Sequence, residues 1–468
     1  MPIRKLPDAP PSVHILGPTV FLVALGVGMG ESYMWPRLVL LFGPEIRWLF
    51  LIGVTLQAVV MLEMARYAMA TGESIFSGAA RVFKPLMWFF FAVAILVYIW
   101  PGHLSAGAAA FEEITGIPWT VTAITGLILV GVVFSLAKVI YNVLENLLSL
   151  LIGALVVGTA VVAAMVGSWG DVVNTITGMF SFGYLPSEAL SAAWFPVIVG
   201  ACAFAGPSGM QQMWYTLHLR DSGAGMGVHI PRIRGLRHAG EEEAMPSRGF
   251  MFDTEDPAEM AKWRGWRRWV TFDALLLFWG VTMLVTISFT VIAQAAVRQN
   301  PGVRTVIQGD DREVALSAMA DAVSSAGSSV LGVVFLGFIA LIGLNATLGL
   351  FDSFSRGQAD MTYNFVPGAK KLRMSHLYAG FLWGVIIFGI LILLFGPADG
   401  PSGILDTLAF LSTFAMGAYC VTLLLVNNRM LPKPIRPRWW SNVIIGFGAV
   451  FYLGMLFYSL FAFGVVVG

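Results

Sequence analysis

Glu31 is the residue in this chain most able to do chemistry where the surroundings are least suited to it. It lies in Gly26-Val27-Gly28-Met29-Gly30-Glu31-Ser32, a polar, glycine-rich run inside an apolar stretch. A second such run, Gly206-Pro207-Ser208-Gly209-Met210-Gln211-Gln212, interrupts an apolar stretch in the other half of the chain. A buried carboxylate can hold a cation or carry a proton, and unwound backbone carbonyls can add oxygen ligands. Met29 and Met210 add a thioether from each run, and soft sulfur favours transition metals over magnesium or calcium. The same methionines also serve as ordinary apolar filling. Gln211 and Gln212 donate and accept hydrogen bonds but do not titrate, so they suit substrate binding without proton movement. Glu31, Met29, Met210 and Gln211 form the candidate metal set. Gly28, Ser32, Pro207, Gly209, Gln212 and Asn345 complete the candidate substrate site.

Other polar residues in apolar stretches are functional candidates by default. His103 follows Pro101-Gly102 and titrates near neutral pH when unperturbed, so it is a proton-carrier candidate, though a histidine hydrogen-bonded to a backbone carbonyl is the commoner outcome. Glu63 and Arg66 stand three apart and Asp352 and Arg356 four apart, spacings that pair side chains on one helix face. Both pairs are candidates for tying or gating helices. Thr347, like Asn345, either faces a cavity or bonds across helices. Asp406, near the start of an apolar stretch, reads as interfacial.

The elements that carry these residues follow from composition. The chain has 468 residues, of which 57% are hydrophobic and 12% charged. A soluble domain carries about 25% charged residues. Apolar stretches near the roughly 20 residues that span a bilayer recur at about 15–35, 46–66, 86–109, 118–137, 143–167, 189–217, 270–295, 326–351, 376–396, 403–427 and 440–465. They predict an all-α polytopic membrane protein with eleven spans. The first stretch has no small-residue cleavage site after it and reads as a span, not as a removed signal. The two polar runs fall in spans one and six, the arithmetic of a five-plus-five inverted repeat with one extra terminal helix. The corresponding segments are 1–14, a first repeat at 15–167, a second at 189–427 with a polar insert at 218–269, and a terminal helix at 440–465.

Glycine weakens a membrane helix, and lipid offers nothing to backbone groups freed by a break. Breaks are tolerated where they line a protein-enclosed cavity, and a matched pair is the sequence mark of a transporter's binding site. Close packing through small residues is the simpler alternative, but packing glycines need no carboxylate and two amides beside them. Residues 28–31 and 207–211 are therefore expected to be non-helical and to face each other.

Charge gives the orientation. With the N-terminus cytoplasmic, all but five of the 28 Lys and Arg fall on the inside; Arg37, Arg47, Arg298, Arg304 and Arg312 are the exceptions. Eleven spans then leave the C-terminus outside. The insert carries a basic run (Arg232 to His238), an acidic run (Glu241 to Glu243) and Trp263-Arg-Gly-Trp-Arg-Arg-Trp269, which reads as an interfacial anchor on a solvated loop. A net charge of +1 gives no reason to expect a nucleic-acid partner. Cys202 and Cys420, both in apolar stretches, supply neither a disulfide framework nor a thiolate metal site. No nucleophile–base pair, phosphate loop or closed metal-ligand cluster is visible, so neither an enzyme nor a cofactor is expected.

Leu16-Gly17-Pro18, Ala65-Arg66 with Ala70-Thr71-Gly72, Val143-Leu144-Glu145, and Leu341-Ile-Gly-Leu-Asn-Ala-Thr-Leu-Gly-Leu350 resemble the natural resistance-associated macrophage protein (Nramp) family of divalent-metal transporters. The resemblance implies a LeuT-like fold, with substrate bound between unwound helices one and six. It departs from the family at the site. Where the family has Asp-Pro-Gly-Asn this chain reads Gly28-Met29-Gly30-Glu31, and for Met-Pro-His it has Gly209-Met210-Gln211, or Met210-Gln211-Gln212 shifted by one. The family's helix-three acids, linked to proton movement, fall near Pro101 and Leu104, so coupling by that route is not expected. The sequence leaves open a divalent cation, another small organic or anionic solute, or a non-transporting membrane sensor or scaffold.

Overall fold

The computed structural model describes residues 1–10, 28–136, 140–231, 248–308, 312–396 and 400–463, with the backbone alone over 140–152. Gly26, Val27, Leu16 to Pro18, Lys138, the side chains of Val143 to Glu145, and the runs Arg232 to His238 and Glu241 to Glu243 lie outside the described residues.

Among the described residues eight helices are long and apolar enough to cross a membrane. A π-helical turn, Gly30–Met34, runs into α1 (Trp35–Phe42), and α2 (Trp48–Thr71) is the second span. The short α3 (Ile75–Val82) leads to α4 (Lys84–Tyr98) and α5 (Gly102–Thr115), which together form the third. The fourth and fifth are α6 (Trp119–Leu136) and α7 (Ile140–Val166); a bend of 118° then turns the chain into α8 (Trp169–Gly178). The sixth is split into α9 (Phe195–Ala203) and α10 (Gln211–Ser222). The seventh comprises α11 (Pro257–Asp273), a π-helical turn at Ala274–Gly280, and α12 (Val281–Gln299). Two short helices, α13 (Val303–Gln308) and α14 (Val314–Ala326), precede α15 (Ser329–Phe365), α16 (Met374–Phe395), α17 (Gly400–Met430) and α18 (Trp439–Phe463).

Among the described residues, the ten predicted stretches from 46–66 onward map onto helices, with three corrections; the first, 15–35, is described only from residue 28. Span three is interrupted at Ile99–Pro101, because Pro101 lacks an N–H and cannot continue the ladder. Span eight does not end at 351: α15 continues to Phe365, so Asp352 and Arg356 sit well inside a helix. The polar insert is helical at both ends, since α10 enters it to Ser222 and α11 leaves it from Pro257. We call the end of the bundle that carries this insert the insert side, and the opposite end the far side.

The tryptophan-basic run is not an interfacial anchor. Trp263, Trp266 and Trp269 are buried, because the N-terminal segment packs on α11. Leu6 N donates to Glu259 Oε2 at 2.5 Å and Trp266 Nε1 to the Pro7 carbonyl at 2.9 Å. Arg4 N donates to Met251 O, and Met251 N to Pro2 O, both at 2.9 Å.

Candidate functional site

The break in helix six is built by residue type. Gly206 (φ +121°) and Gly209 (φ +55°) take left-handed conformations that side chains disfavour, and Pro207 between them has no N–H. The freed backbone groups are taken up one by one. Gln57 Nε2 donates to Ala203 O at 3.0 Å, the Tyr98 hydroxyl donates to Ser208 O at 3.1 Å, and Met210 N donates to that hydroxyl at 2.8 Å. Helices two and three therefore supply the partners that lipid would not.

The predicted non-helical stretch 28–31 is corrected over its described residues. Gly28 is bent, but Met29 to Glu31 are helical. Glu31 Oε2 accepts from Gly28 N at 3.1 Å and Ser32 Oγ donates to Gly28 O at 2.8 Å, so both backbone groups of Gly28 are taken up from the following turn. The Gly206 N–H of the other break faces the same carboxylate. The two breaks touch, since a Cβ on Gly30 would collide with the Phe204 carbonyl and lie 2.9 Å from Phe204 Cβ.

Around this contact lie several buried polar atoms with no hydrogen-bond partner: Glu31 Oε1, Gln211 Oε1 and both ring nitrogens of His103. His103 stacks on Phe204 with ring centroids 5.1 Å apart and planes 4° from parallel, so it is not tied to a carbonyl. Met29 Sδ accepts from Ser32 Oγ at 3.7 Å, and its methyl lies beside Gly343 of α15. Gln211 Nε2 is held by Ser208 Oγ at 3.2 Å. Gln212 points elsewhere: its Nε2 donates to the backbone carbonyl of Gln57 at 3.0 Å, fixing helix six to helix two. Pro207, Gly209, Met210 and Asn345 are buried in the same region of the bundle. No group of three or more His, Cys, Asp or Glu able to hold a metal ion occurs among the described residues.

Two ion networks close the bundle on either side of the breaks. On the far side Arg37 of α1 pairs with Asp406 of α17 at 2.5 Å, and Arg312 reaches the same carboxylate at 3.0 Å. Tyr33 OH donates to the Arg312 carbonyl at 3.0 Å, and Ser402 N donates to Glu313 at 2.8 Å. Asp406 is thus a buried partner of two arginines, not an interfacial residue, because α1 lies against α17. On the insert side Arg356 binds Asp352 at 2.9 Å and also Asp221 of α10. Tyr378 OH donates to Asp352 at 2.9 Å, and Arg220 pairs with Asp360 at 2.6 Å. Arg66 and Glu63 pair as their spacing predicts, and Arg66 also donates to Ile435 O at 3.0 Å, tying α2 to the segment before α18.

Sequence reasoning missed Asp221, Arg220, Asp360 and the pairing of Arg37, since their partners are distant in the chain. It also missed Asp273, a buried acid inside the predicted span 270–295, which its charge alone marks.

A helical bundle of this length, with its sixth helix broken where it meets the turn at Gly28–Glu31, is a polytopic integral membrane protein of LeuT-like architecture. Solved structures with the same arrangement are transporters. A manganese transporter from Eremococcus coleocola superposes with a TM-score of 0.64 at 15% identity, covering 98% of this chain and 89% of that one. The same transporter in complex with an aromatic bis-isothiourea substituted compound gives 0.63 at 14%, covering 97% and 86%. Mhp1, a nucleobase-cation-symport-1 family transporter in a closed conformation with bromovinylhydantoin bound, gives 0.55 at 11%, covering 97% and 94%. No family model matches the sequence, and no curated protein matches it either. At these identities the likeness establishes the fold.

Proposed function

We propose that the protein is a secondary transporter that moves a small cation, a divalent metal ion first among the candidates, by alternating access. One observation carries this reading: unpartnered acceptor atoms of Glu31 and Gln211 are buried at the meeting of two helix breaks, between ion networks that close both ends. A buried polar atom without a partner is costly, and a cation supplies what both oxygens lack. Met29 and Met210 add soft sulfur, and Asn345 borders the same region. Glu63 with Arg66 and Asp352 with Arg356 act in closing the insert side, and His103 is the titratable neighbour of the site. Residues 15–167 and 189–427 then form the two repeats, and the charge distribution supports an insert side in the cytoplasm, with the N-terminus inside and the C-terminus outside.

The absence of a three-membered metal-ligand group among the described residues favours, as the second reading, a small organic cation that needs fewer charged partners. Purified protein in liposomes separates the two. Uptake and heat of binding are measured for Mn²⁺, Cd²⁺, Mg²⁺ and Ca²⁺, with wild type, Glu31→Gln and Met210→Ala. A metal cargo requires that Glu31→Gln abolish binding with the fold intact, and that Met210→Ala weaken Mn²⁺ and Cd²⁺ more than Mg²⁺ and Ca²⁺. No heat with any of the four ions removes the metal reading. No flux of any solute in a wider screen leaves a sensor or scaffold.

A further inference from the structure

Asp273 ends α11 where the chain passes into the π-helical turn Ala274–Gly280. It is 2% exposed, and neither carboxylate oxygen has a hydrogen-bond partner. Its side chain caps nothing, although it stands at the N-cap of that turn. The elements around it offer no charge to balance it. On α2 the charged groups are Glu63 and Arg66, which bind each other. On α11, Arg267 donates to Leu62 O at 2.7 Å and lies 3.7 Å from Glu63. Lys262 is held by Glu259 at 2.9 Å. Arg264 and Arg268, the other bases of α11, are exposed.

Five residues on, Phe278 packs against Gly206 in the helix-six break, so the carboxyl stands roughly 7 Å along the helix from the candidate site. Trp279 Nε1 donates to Thr55 Oγ1 of α2 at 3.2 Å, which fixes the turn against that helix. An unpaired carboxylate in such a place costs several kcal/mol, whereas the neutral acid costs far less. An acid with no structural partner, beside an irregular turn that reaches the site, has one economical use.

Resting on the transport reading above, we propose that Asp273 is a proton-binding site of the transport cycle. It is a neutral acid in this closed conformation and loses its proton to water when the contact between α2 and the π-helical turn opens. The proton is taken up from the far side and released to the insert side once per cycle, and no other co-reactant is needed. Glu31 remains the cargo residue, and Asp273 carries the coupling.

Infrared spectroscopy on purified full-length protein at neutral pH tests the protonation directly. Asp273→Asn is expected to remove one protonated-carboxyl band with no change in melting midpoint, because the amide keeps the shape and neutrality of the acid. Glu31→Gln, measured separately, assigns any band belonging to that residue. A carboxyl signal undiminished by Asp273→Asn overturns the proposal, and so does a lowered midpoint, which marks a structural carboxylate. In liposomes loaded with a pH-sensitive dye, Mn²⁺ uptake by wild type should move protons. Asp273→Asn should keep Mn²⁺ exchange and lose at least tenfold of that proton flux. Proton flux equal to wild type overturns the coupling role. A wild type that carries no Mn²⁺ counts against the cargo proposal alone, and the infrared result then decides whether Asp273 holds a proton.

Discussion

Arg356 bridges α15 to α10 with all three partners out of water: the side chains of Arg356, Asp221 and Asp352 are fully buried. Arg356→Met keeps much of the side-chain volume and removes the charge. In the closed state Asp221 then keeps Arg220 at 3.0 Å, whereas Asp352 keeps only the Tyr378 hydroxyl and a more distant His218. Removing one member of a buried pair costs about 3–5 kcal/mol. An insert-side-open state escapes that cost, because water reaches both carboxylates. At 1.4 kcal/mol per decade the equilibrium shifts toward opening by roughly 100- to 3000-fold. A cysteine reporter reads this shift. Cys202 and Cys420 are buried and can be replaced by alanine to give a silent background. Ser353→Cys places a thiol beside His218, at a position fully buried when closed. Thr407→Cys, next to Asp406, reports on the far side. Arg356→Met should raise labelling of the first site by two to three powers of ten with a polar thiol reagent, and leave the second protected. Adding Asp352→Asn should reverse part of the effect, since the carboxylate left without its guanidinium is removed. Unchanged labelling of the first site would refute the gating argument. Equal gains at both sites would mean that the fold has loosened instead.

Two further outcomes follow from local geometry. Gly30→Ala should destabilise by about 1–3 kcal/mol through its collision with Phe204, read as a lower melting midpoint, while Gly446→Ala, with nothing within 4 Å, leaves the midpoint unchanged. Asp171, outside the spans, caps α8 by accepting from Ser168 N at 2.8 Å and pairs with Arg298. Burial pushes its carboxyl up, but the Ser168 N–H and the Arg298 guanidinium outweigh this and hold it below the ordinary carboxylate value. A depressed folded value means that the contribution is present above about pH 4 and lost as pH falls through the lowered one. Hydrogen exchange over 169–178 should stay slow at neutral pH, quicken only in stronger acid, and be quick at neutral pH in Asp171→Asn.

What the sequence made legible was local. The Gly206-Pro207-Ser208-Gly209 run marks the helix-six break, and a carboxylate in an apolar stretch stands out without a partner in view. The spacing of Asp352 and Arg356 likewise predicts their contact, which is observed at 2.9 Å. The closures of the bundle were hidden because their partners are remote: Arg37 and Asp406 are 369 residues apart, Arg356 and Asp221 135. Composition alone cannot say which buried charge meets which. The tryptophans of α11 misled for a related reason. Tryptophan beside arginine is the pattern of a membrane interface, and only the docking of residues 1–10 turns it into a packed surface. His103 was expected on a carbonyl and lies on Phe204 instead, a contact that pattern does not encode.

The placement of the two networks gives the breaks a mechanical meaning. The far-side network is borne by the half-helix that follows the first break, through Tyr33 and Arg37. The insert-side network is borne by the half-helix that follows the second, through Arg220 and Asp221. Glu31 and Gln211 stand at the first turns of those same two half-helices. A cargo that joins Glu31 Oε1 to Gln211 Oε1 therefore grips the ends of the two levers whose other ends hold the bundle shut. Glu31 is already fixed through its second oxygen to Gly28, with the Gly206 N–H facing it, so the pull falls on backbone that can re-pair. Glycines at 28, 206 and 209 let that backbone turn with little steric cost. The proposed transport reading thus gives this one carboxylate two tasks, binding the cargo and transmitting its pull.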